Sequence, residues 1–453
     1  MTMDVKQLYR QYGKQMVITT DSRFCPEGSI FIALKGENFD GNRYAAQALE
    51  KGCRHAIVDN PDFYDAQDGR YLLVDDTLQA YKQLAREYRR EFDIPMIGIT
   101  GTNGKTTTKE LIATVLKQKY RVMATEGNFN NDVGVPKTLM RLSDEYEIAV
   151  VEMGASHPGD IRTLVNTAEP TCGIITNVGL AHLQGFGSFE GVKRTKGELY
   201  DFFAQRKSLS PIFINAQDKD LMQMLEERMA LDDNKIEPIY YSTERLDIQK
   251  PYVFGKAVEA NPFLCVQWNT VDEHGNDGPK HSVRSQLIGQ YNIHNILAAV
   301  AIGLHFGVDP DDMSTALEQY QPSNNRSQYV DTGRNHLIVD AYNANLSSMM
   351  ASMDNFDTLM KADRKMVILG DMKELGTAST DAHQQIVDRL KQMDVQVWLV
   401  GEEFNKTQHG DDCRMFDNVE QVMAAVAEQP IDGYTILIKG SHSMRLDKLK
   451  DVF

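Results

Sequence analysis

The sequence has few cysteines and no pattern among them. Five occur in 453 residues, and each stands alone in the sequence: Cys25, Cys53, Cys172, Cys265 and Cys413. An odd number without short metal-ligand spacing argues against a disulfide framework. We therefore expect reduced, mostly buried thiols of a cytoplasmic protein.

Basic residues and long apolar runs are also scarce. The chain has 48 Lys and Arg against 64 Asp and Glu, a net charge of -16, which argues against a nucleic-acid or membrane-surface protein. The longest apolar run, residues 296–308, contains His305 and is shorter than the ~20 residues of a membrane span. The first seven residues contain no apolar core, so we expect no secretory signal. Anionic substrates must then be bound by local basic residues.

The most informative segment runs from residue 97 to residue 108. An apolar strand leads into a loop with Gly101 and Gly104, and Lys105 and Thr106 follow as a helix begins. Unpaired N–H groups at a helix start, an ammonium group and a hydroxyl that binds Mg²⁺ are what a polyphosphate requires. The usual phosphate loop has its first glycine where this chain has Ile99, so the loop is a variant. The segment predicts a protein that uses ATP or GTP.

The length predicts two or three domains. Residues 1–93 alternate short strands and helices, which predicts a small α/β domain. Between 94 and 321 a longer alternation predicts a parallel sheet with helices on both faces and an antiparallel addition at 239–289. Residues 322–453 repeat the alternation up to a last helix through Lys450 and predict a doubly wound, Rossmann-like domain. The predicted fold class is therefore α/β.

Several segments together resemble the Mur ligases, the ATP-dependent amino-acid-adding enzymes of peptidoglycan synthesis. Residues 101–109 resemble their phosphate loop, 151–154 their second central strand, 175–182 the next loop and 196–198 their modified-lysine motif. Residues 125–136, 342–345, 369–376 and 439–441 resemble the branch that adds D-alanyl-D-alanine to UDP-N-acetylmuramoyl-tripeptide. Residues 21–23, 35–36 and 40–41 resemble that family's uridine-nucleotide domain. The resemblance covers nearly the whole chain and implies three domains: uridine-nucleotide, central ATPase-type and C-terminal.

Three residues depart from the family pattern. Asn42 stands where histidine often follows Asp-Gly, Leu346 where proline usually follows Asn-Ala-Asn, and His442 where arginine usually follows Lys-Gly-Ser. We expect a looser turn at Leu346 and altered contacts near the active cleft at His442. No departure removes a group that the chemistry requires.

The resemblance implies amide synthesis through an acyl phosphate, in which ATP activates the tripeptide carboxylate and the D-alanyl-D-alanine amine attacks it. Lys105 is expected along the β- and γ-phosphates, and Thr106 and Glu152 are expected to bind Mg²⁺. The family also implies a second Mg²⁺ at His182 and Lys196, with Lys196 carbamylated so that it presents an oxyanion. Considered without the family, a solvated Glu152, a His182 bonded to backbone and an unmodified surface Lys196 remain alternatives.

The resemblance also implies contacts to the substrates. On the phosphate loop these are Gly101, Thr102, Asn103, Gly104, Lys105, Thr106 and Thr107. Asn295 matches the residue that contacts adenine, Arg326 the arginine that reaches the γ-phosphate, and Asp340 the carboxylate that holds the ribose. Ser22 and Arg23 are expected at the uridine diphosphate. For Asn295 the alternative is a helix cap. Neutral side chains are expected at the peptide, with turn formation as the alternative: Asn128, Asn130, Asn131, Asn343 and Asn345.

Three other functions are compatible with parts of the sequence. A folylpolyglutamate synthase-like ligase shares the phosphate loop but lacks a uridine-binding first domain, so residues 1–93 count against it. A sister Mur ligase that adds a single amino acid is closer, but residues 126–131 and 370–372 argue against it. A nucleotide-driven switch protein would leave Lys196 and its motif unexplained. We expect a monomeric ligase.

Overall fold

Apolar strands and capped helices alternate along the chain and build separate α/β sheets. The structure, a computed structural model, describes residues 5–231, 233–322, 326–358 and 360–453. Contacts divide the chain into two compact units, one of residues 1–98, 120–154 and 160–172, the other of residues 99–119, 155–159 and 173–453. The domain boundaries predicted after residues 93 and 321 stay predictions. Among the described residues, no helix combines the length and the apolar character that crossing a membrane demands.

The N-terminal segment forms a four-stranded parallel sheet of order β1-β2-β5-β6. Asp76 begins the longest helix here, because its side chain accepts a hydrogen bond from the Gln79 N–H. A helix at residues 5–12 was not predicted from the sequence. The elements are α1 (Val5–Tyr12), β1 (Ile18–Thr19), β2 (Ile30–Ile32), β3 (Lys35–Gly36), β4 (Phe39–Asp40), α2 (Ala45–Glu50), β5 (His55–Val58), β6 (Tyr71–Leu73) and α3 (Thr77–Arg89).

A nine-stranded sheet of order β15-β14-β13-β12-β11-β10-β7-β9-β8 follows. Its strands are β7 (Met96–Thr100), β8 (Val122–Ala124), β9 (Ile148–Glu152), β10 (Cys172–Ile175), β11 (Ser210–Asn215), β12 (Ile236–Ser242), β13 (Tyr252–Ala260), β14 (Phe263–Val271) and β15 (His281–Ile288). Its helices are α4 (Lys105–Leu116), α5 (Gly134–Leu139), α6 (Asp160–Ala168), α7 (Leu183–Phe186), α8 (Phe189–Ala204), α9 (Lys219–Met229), α10 (Ile293–His305) and α11 (Pro310–Gln319).

The predicted antiparallel addition is present but begins later than expected. Strand β12 pairs in parallel with β11, and β13 pairs in parallel with β12. Antiparallel pairing joins β13 to β14 and β14 to β15. The connection between β13 and β14 has only two residues, which permits a hairpin but no crossover and so accounts for the antiparallel pairing of these two strands.

The C-terminal segment forms the predicted doubly wound sheet, of order β16-β17-β21-β18-β19-β20. Buried side chains cover both of its faces, with helices α12 and α13 on one and α15 on the other. Strands β16 and β20 were not predicted, and the predicted last helix is a 3₁₀ helix at Leu446–Asp451. The elements are β16 (Gln328–Asp331), β17 (His336–Asp340), α12 (Leu346–Thr358), β18 (Lys365–Gly370), α13 (Ser379–Leu390), β19 (Gln396–Val400), α14 (Glu402–Asn405), β20 (Cys413–Phe416), α15 (Val419–Glu428) and β21 (Thr435–Lys439).

One fully buried histidine holds the loop after β18. His383 Nε2 accepts a hydrogen bond from the Met372 N–H at 3.0 Å, and its Nδ1 lies 2.7 Å from the Ser379 carbonyl oxygen. Both contacts are satisfied only by the neutral ring with its proton on Nδ1. Burial lowers the pKa of His383 below its ordinary value.

We predict that His383→Ala lowers the free energy of unfolding of the segment that contains Trp398 by about 3 kcal/mol at pH 7.5. Loss of the imidazole opens a cavity and leaves the Met372 N–H without its hydrogen-bond partner. The lowered pKa also means that the unfolded state binds the proton first as pH falls below about 6.5, so wild-type stability is lost in that direction. The acid-induced loss is therefore smaller in the variant.

Urea unfolding in a Trp268→Phe background measures both effects, because Trp398 is then the only tryptophan of the chain. The exposed His274 provides the control variant His274→Ala, which we expect to match the wild type. Equal acid-induced losses in wild type and His383→Ala would contradict the assignment.

Candidate active site

The phosphate loop has a backbone that only glycine permits at two positions. Gly101 has φ +140°, and a Cβ there would lie 2.1 Å from Thr176 Oγ1. Gly104 has φ +78°, and a Cβ there would lie 2.9 Å from Asn295 Oδ1. The glycines therefore allow close packing of the loop as well as its sharp bend.

The segment after β10 holds the loop in this shape. Thr176 Oγ1 donates to the Asn103 carbonyl at 2.7 Å, and Asn177 both accepts from the Asn103 N–H at 3.0 Å and donates to its carbonyl at 3.0 Å. Thr102 Oγ1 accepts from the Gly179 N–H at 2.9 Å. Through these hydrogen bonds the Thr-Asn-Val-Gly segment at 176–179 supports the phosphate loop.

Lys105 and Thr106 open helix α4. The Lys105 ammonium donates to the carbonyl oxygens of Gly101 and Thr102, each at 2.9 Å, so the loop's own carbonyls orient its charge. Thr106 and Thr107 follow in the first turn of the helix, where backbone N–H groups favour an anion. Gly104 to Thr107 thus have the geometry of a polyphosphate site.

Glu152 ends strand β9 and is 2% exposed. Its Oε1 accepts from Asn130 Nδ2 at 2.8 Å, whereas its Oε2 is buried and has no hydrogen-bond partner. The predicted alternative of a solvated strand-end carboxylate is therefore wrong. A buried carboxylate oxygen without a partner is costly, and a cation would satisfy it; carboxylate oxygen is a ligand that fits Mg²⁺.

Lys196 lies on helix α8 and is 2% exposed, so the alternative of a surface lysine is wrong. Its Nζ donates to the Ala155 carbonyl at 3.4 Å and lies 5.5 Å from the centre of the Phe186 ring. Neighbouring Lys193 is less deeply buried and pairs with Glu190 at 2.8 Å and Asp220 at 3.3 Å. Burial sets Lys196 apart from the other basic residues of this helix.

His182 contacts a carboxylate that the sequence analysis did not single out. Its Nδ1 lies 2.6 Å from Oε2 of Glu374, and this bond lowers the pKa of Glu374 below its ordinary value. The backbone-bonded alternative for the His182 ring is not what the structure shows. Glu374 belongs to the string 369–376, but nothing in its spacing pointed to His182.

Asn103 of the phosphate loop is bonded to the segment after β17. Its Oδ1 accepts from Asn345 Nδ2 at 2.8 Å, and its Nδ2 donates to Ser347 Oγ at 2.9 Å. Asn345 Oδ1 also accepts from the Ser348 N–H at 2.9 Å, which caps helix α12. Leu346 is the first residue of that helix, a position that favours proline without requiring it. The cap closes this turn, and the looser turn expected at Leu346 stays a prediction.

Arg326, Tyr342 and His442 lie together. The Arg326 guanidinium carbon is 3.8 Å from the centre of the Tyr342 ring, and the His442 ring is 5.5 Å from it. Arg326 Nε is buried without a hydrogen-bond partner. Asp340 lies nearby in sequence and forms an ion pair with the buried Lys439. The departure at His442 thus places an imidazole against Tyr342.

Asn295 has both side-chain polar atoms engaged. Its Oδ1 accepts from Thr108 Oγ1 at 3.0 Å, and its Nδ2 donates to Asn292 Oδ1 at 2.8 Å. It stands in the first turn of helix α10 without capping it, so the capping alternative is wrong. The residue fixes α10 to α4 directly beside Gly104.

The predicted uridine-nucleotide residues lie on an exposed loop. Arg23 donates to both carboxylate oxygens of Asp21, at 2.9 and 2.8 Å, and this pairing lowers the pKa of Asp21 to about 2. The Ser22 carbonyl accepts from Lys51 Nζ at 2.8 Å. Asn42 is buried and donates to Asp40 and Asp59 at 2.7 and 2.9 Å, so this departure serves a local hydrogen-bond network.

The remaining asparagines differ in role. Asn131 Oδ1 accepts from the Gly134 N–H at 2.8 Å, and Asn343 Oδ1 accepts from the Ala344 N–H at 2.9 Å, as the turn-forming alternative predicts. Asn128 accepts through its carbonyl from the Asn130 N–H at 2.8 Å. Asn130 alone among these contacts a predicted functional residue, Glu152.

The structure thus brings some of the predicted residues together. Within the first unit Asn130 meets Glu152, and within the second the phosphate loop meets Asn295 and Asn345. Among residues 5–231, 233–322, 326–358 and 360–453, no group of three or more His, Cys, Asp and Glu side chains is arranged to hold a metal. A metal ion bound to these residues would therefore need further ligands, such as hydroxyl or phosphate oxygens.

Comparisons with known proteins agree over the whole chain. Three family models match: "Mur ligase family, catalytic domain" at residues 16–89, "Mur ligase middle domain" at 99–303 and "Mur ligase, glutamate ligase domain" at 325–442. The UDP-N-acetylmuramoyl-tripeptide–D-alanyl-D-alanine ligase of Bacillus subtilis is 31% identical over 97% of this chain and 93% of its own length.

Solved structures show the same architecture. MurF from Acinetobacter baumannii has a TM-score of 0.83 at 28% identity and covers 100% of this chain and 98% of its own. MurF ligase from Thermotoga maritima, in complex with ADP, has a TM-score of 0.83 at 25% identity over 97% of both chains. These matches confirm the predicted α/β fold of three domains.

We predict that Glu152→Gln weakens Mn²⁺ binding in the presence of ADP by about 10-fold or more, because a charged oxygen ligand is lost. The variant should be at least as stable as the wild type, since the amide keeps the Asn130 bond and removes a buried charge. Electron paramagnetic resonance and thermal unfolding measure the two effects. Glu147→Gln, at an exposed carboxylate paired with Arg121, is the control. A less stable variant with unchanged Mn²⁺ affinity would show that Glu152 is purely structural.

Proposed function

The chain belongs to the Mur ligase family, and we propose that it is the ATP-dependent ligase that joins D-alanyl-D-alanine to UDP-N-acetylmuramoyl-tripeptide in peptidoglycan precursor synthesis. The observation that carries this proposal is the full-length similarity to ligases of that name, which includes the first ninety residues as well as the phosphate loop. A folylpolyglutamate synthase-like ligase would not account for that N-terminal match.

The chemistry requires activation of a carboxylate, because an amine does not displace oxide. The γ-phosphoryl group of ATP passes to the tripeptide carboxylate, the D-alanyl-D-alanine amine attacks the acyl phosphate, and phosphate leaves. Catalysis then consists of alignment and charge neutralisation. The rigid loop at 101–104, the N–H groups of α4 and the Lys105 ammonium supply both at the phosphates.

Residues beyond the loop hold the rest of the nucleotide. Asn295 lies beside Gly104 and contacts adenine, and Asp340, oriented by Lys439, accepts from the ribose hydroxyls. Arg326 reaches the γ-phosphate, and its guanidinium, which lies over the Tyr342 ring, carries N–H groups that match phosphate oxygens. On the acceptor side, Ser22 and Arg23 bind the uridine diphosphate and Asn128, Asn130, Asn131, Asn343 and Asn345 the peptide.

Thr106 and Glu152 would hold one Mg²⁺, and His182 and Lys196 a second. Magnesium supplies neutralisation of the phosphate charge during transfer. A buried ammonium at Lys196 cannot ligate a cation, whereas its carbamate is in effect a long carboxylate, and the depth of burial supports this modification. We further propose that the enzyme is cytoplasmic and monomeric.

The proposal is tested by incubating the protein with ATP, UDP-N-acetylmuramoyl-tripeptide and D-alanyl-D-alanine and measuring the product mass. We expect the pentapeptide product, ADP and phosphate. Product only with a single amino acid would identify a sister ligase, and ADP without any peptide product would identify a nucleotide-driven switch. Lys105→Ala should abolish the product but retain uridine-nucleotide binding, measured by calorimetry. Lys117→Ala, just beyond the other end of the same helix, should behave as wild type.

We predict that Lys196→Ala is nearly inactive and that acetate or formate partly restores turnover, because a small oxyanion fills the place of the carbamate. Added amines should give no recovery, and Lys193→Ala should keep most of its activity. Intact-mass measurement of the wild type under CO₂ provides a second readout. A bare lysine mass, together with no recovery at any carboxylate concentration, would contradict the carbamate.

A further inference from the structure

Two residues with unusual backbone conformations meet at one contact. His182 has φ +50° and Glu374 has φ +66°, and positive φ is uncommon for residues other than glycine. Their side chains approach to 2.6 Å between Nδ1 and Oε2. Strained conformations persist where the surrounding structure imposes them, and they cluster at functional sites.

The loop that carries Glu374 is fixed on both sides of the residue. The Met372 N–H donates to His383 at 3.0 Å, and the Lys373 N–H donates to Ser441 Oγ at 3.0 Å. The preceding Asp371 is fully buried, and its two carboxylate oxygens each accept a backbone N–H of helix α14 at 3.1 Å. Glu374 is therefore presented from a rigid support.

The loop that carries His182 leads toward Lys196. Helix α7 begins directly after His182, and its Phe186 ring lies 6.2 Å from the His182 ring and 5.5 Å from Lys196 Nζ. Gly185 packs so tightly that a Cβ would lie 2.0 Å from the Ser156 carbonyl oxygen. Ser156 follows Ala155, whose carbonyl accepts from Lys196.

We propose that Glu374 is a positioning residue that selects the tautomer and the orientation of His182. A neutral imidazole has one proton on its two nitrogens. When Nδ1–H donates to Glu374, Nε2 keeps the lone pair that a metal ion requires, as in the carboxylate–histidine pairs of many metal sites. The role of His182 as a ligand rests on the proposed function, whereas the choice of tautomer does not.

The first test is ¹⁵N NMR of histidine-labelled, ligand-free protein at pH about 8.5, where neutral imidazole predominates. The His182 signals are assigned with His182→Gln. We expect Nδ1–H in the wild type and in Glu374→Gln, whose amide oxygen still accepts, and a shift toward Nε2–H in Glu374→Ala. Glu420→Ala is a matched control, since Glu420 and Glu374 have side chains 62% and 61% exposed and each pairs with a basic residue.

The second test measures Mn²⁺ binding to the ADP complex of the same variants. Glu374→Ala should weaken the affinity by about 10-fold and raise the Mg²⁺ concentration that half-saturates turnover, with Glu374→Gln close to wild type. An unchanged tautomer in Glu374→Ala, or an Mn²⁺ affinity equal to that of Glu420→Ala, would overturn the proposal and make the contact an ordinary surface pair. If the wild type forms no peptide product, the proposed function fails, while these two readouts still decide the role of Glu374.

Discussion

The close approach of two backbone segments at Gly101 is the constraint on which the nucleotide site depends. No side chain fits between the phosphate loop and Thr176, and the bonds of Thr176 and Asn177 to Asn103 require that approach. The loop is therefore shaped by the protein itself. Preorganised donors lose no reorganisation energy when charge develops on a phosphoryl group, so the cost of the geometry is met during folding.

Two charged groups that the proposed chemistry uses are buried. Glu152 and Lys196 are each 2% exposed, and one oxygen of Glu152 has no partner. A buried carboxylate oxygen without a partner lowers stability unless a ligand completes it. The apolar clusters on both faces of the C-terminal sheet stabilise that sheet independently of the ligands. Cores of this kind let the enzyme retain unfavourable groups where the chemistry requires them.

The fold could be predicted well because its signals are local. The buried strands, the helices between them and the glycine loop each follow from a few adjacent residues. The contacts between distant residues could not be predicted in this way: neither His182 with Glu374 nor Arg326 with Tyr342 has a periodicity that reports it. Burial of Lys196 was likewise invisible, because the charged residues beside it in sequence point to a surface helix. The family resemblance supplied the site residues, but their partners came only from the structure.

The side-chain amide of Asn103 limits which C-terminal segments from relatives can replace the one in this protein. Both of its polar atoms are used by Asn345 and Ser347, more than two hundred positions away in the chain. The residue types at positions 103, 345 and 347 must therefore match one another, although these positions lie in different segments of the chain. A chimaera that takes its last 130 or so residues from a relative must carry matching side chains at 345 and 347. Otherwise Asn103 of its phosphate loop loses the hydrogen bonds that its side-chain oxygen and nitrogen make with residues 345 and 347.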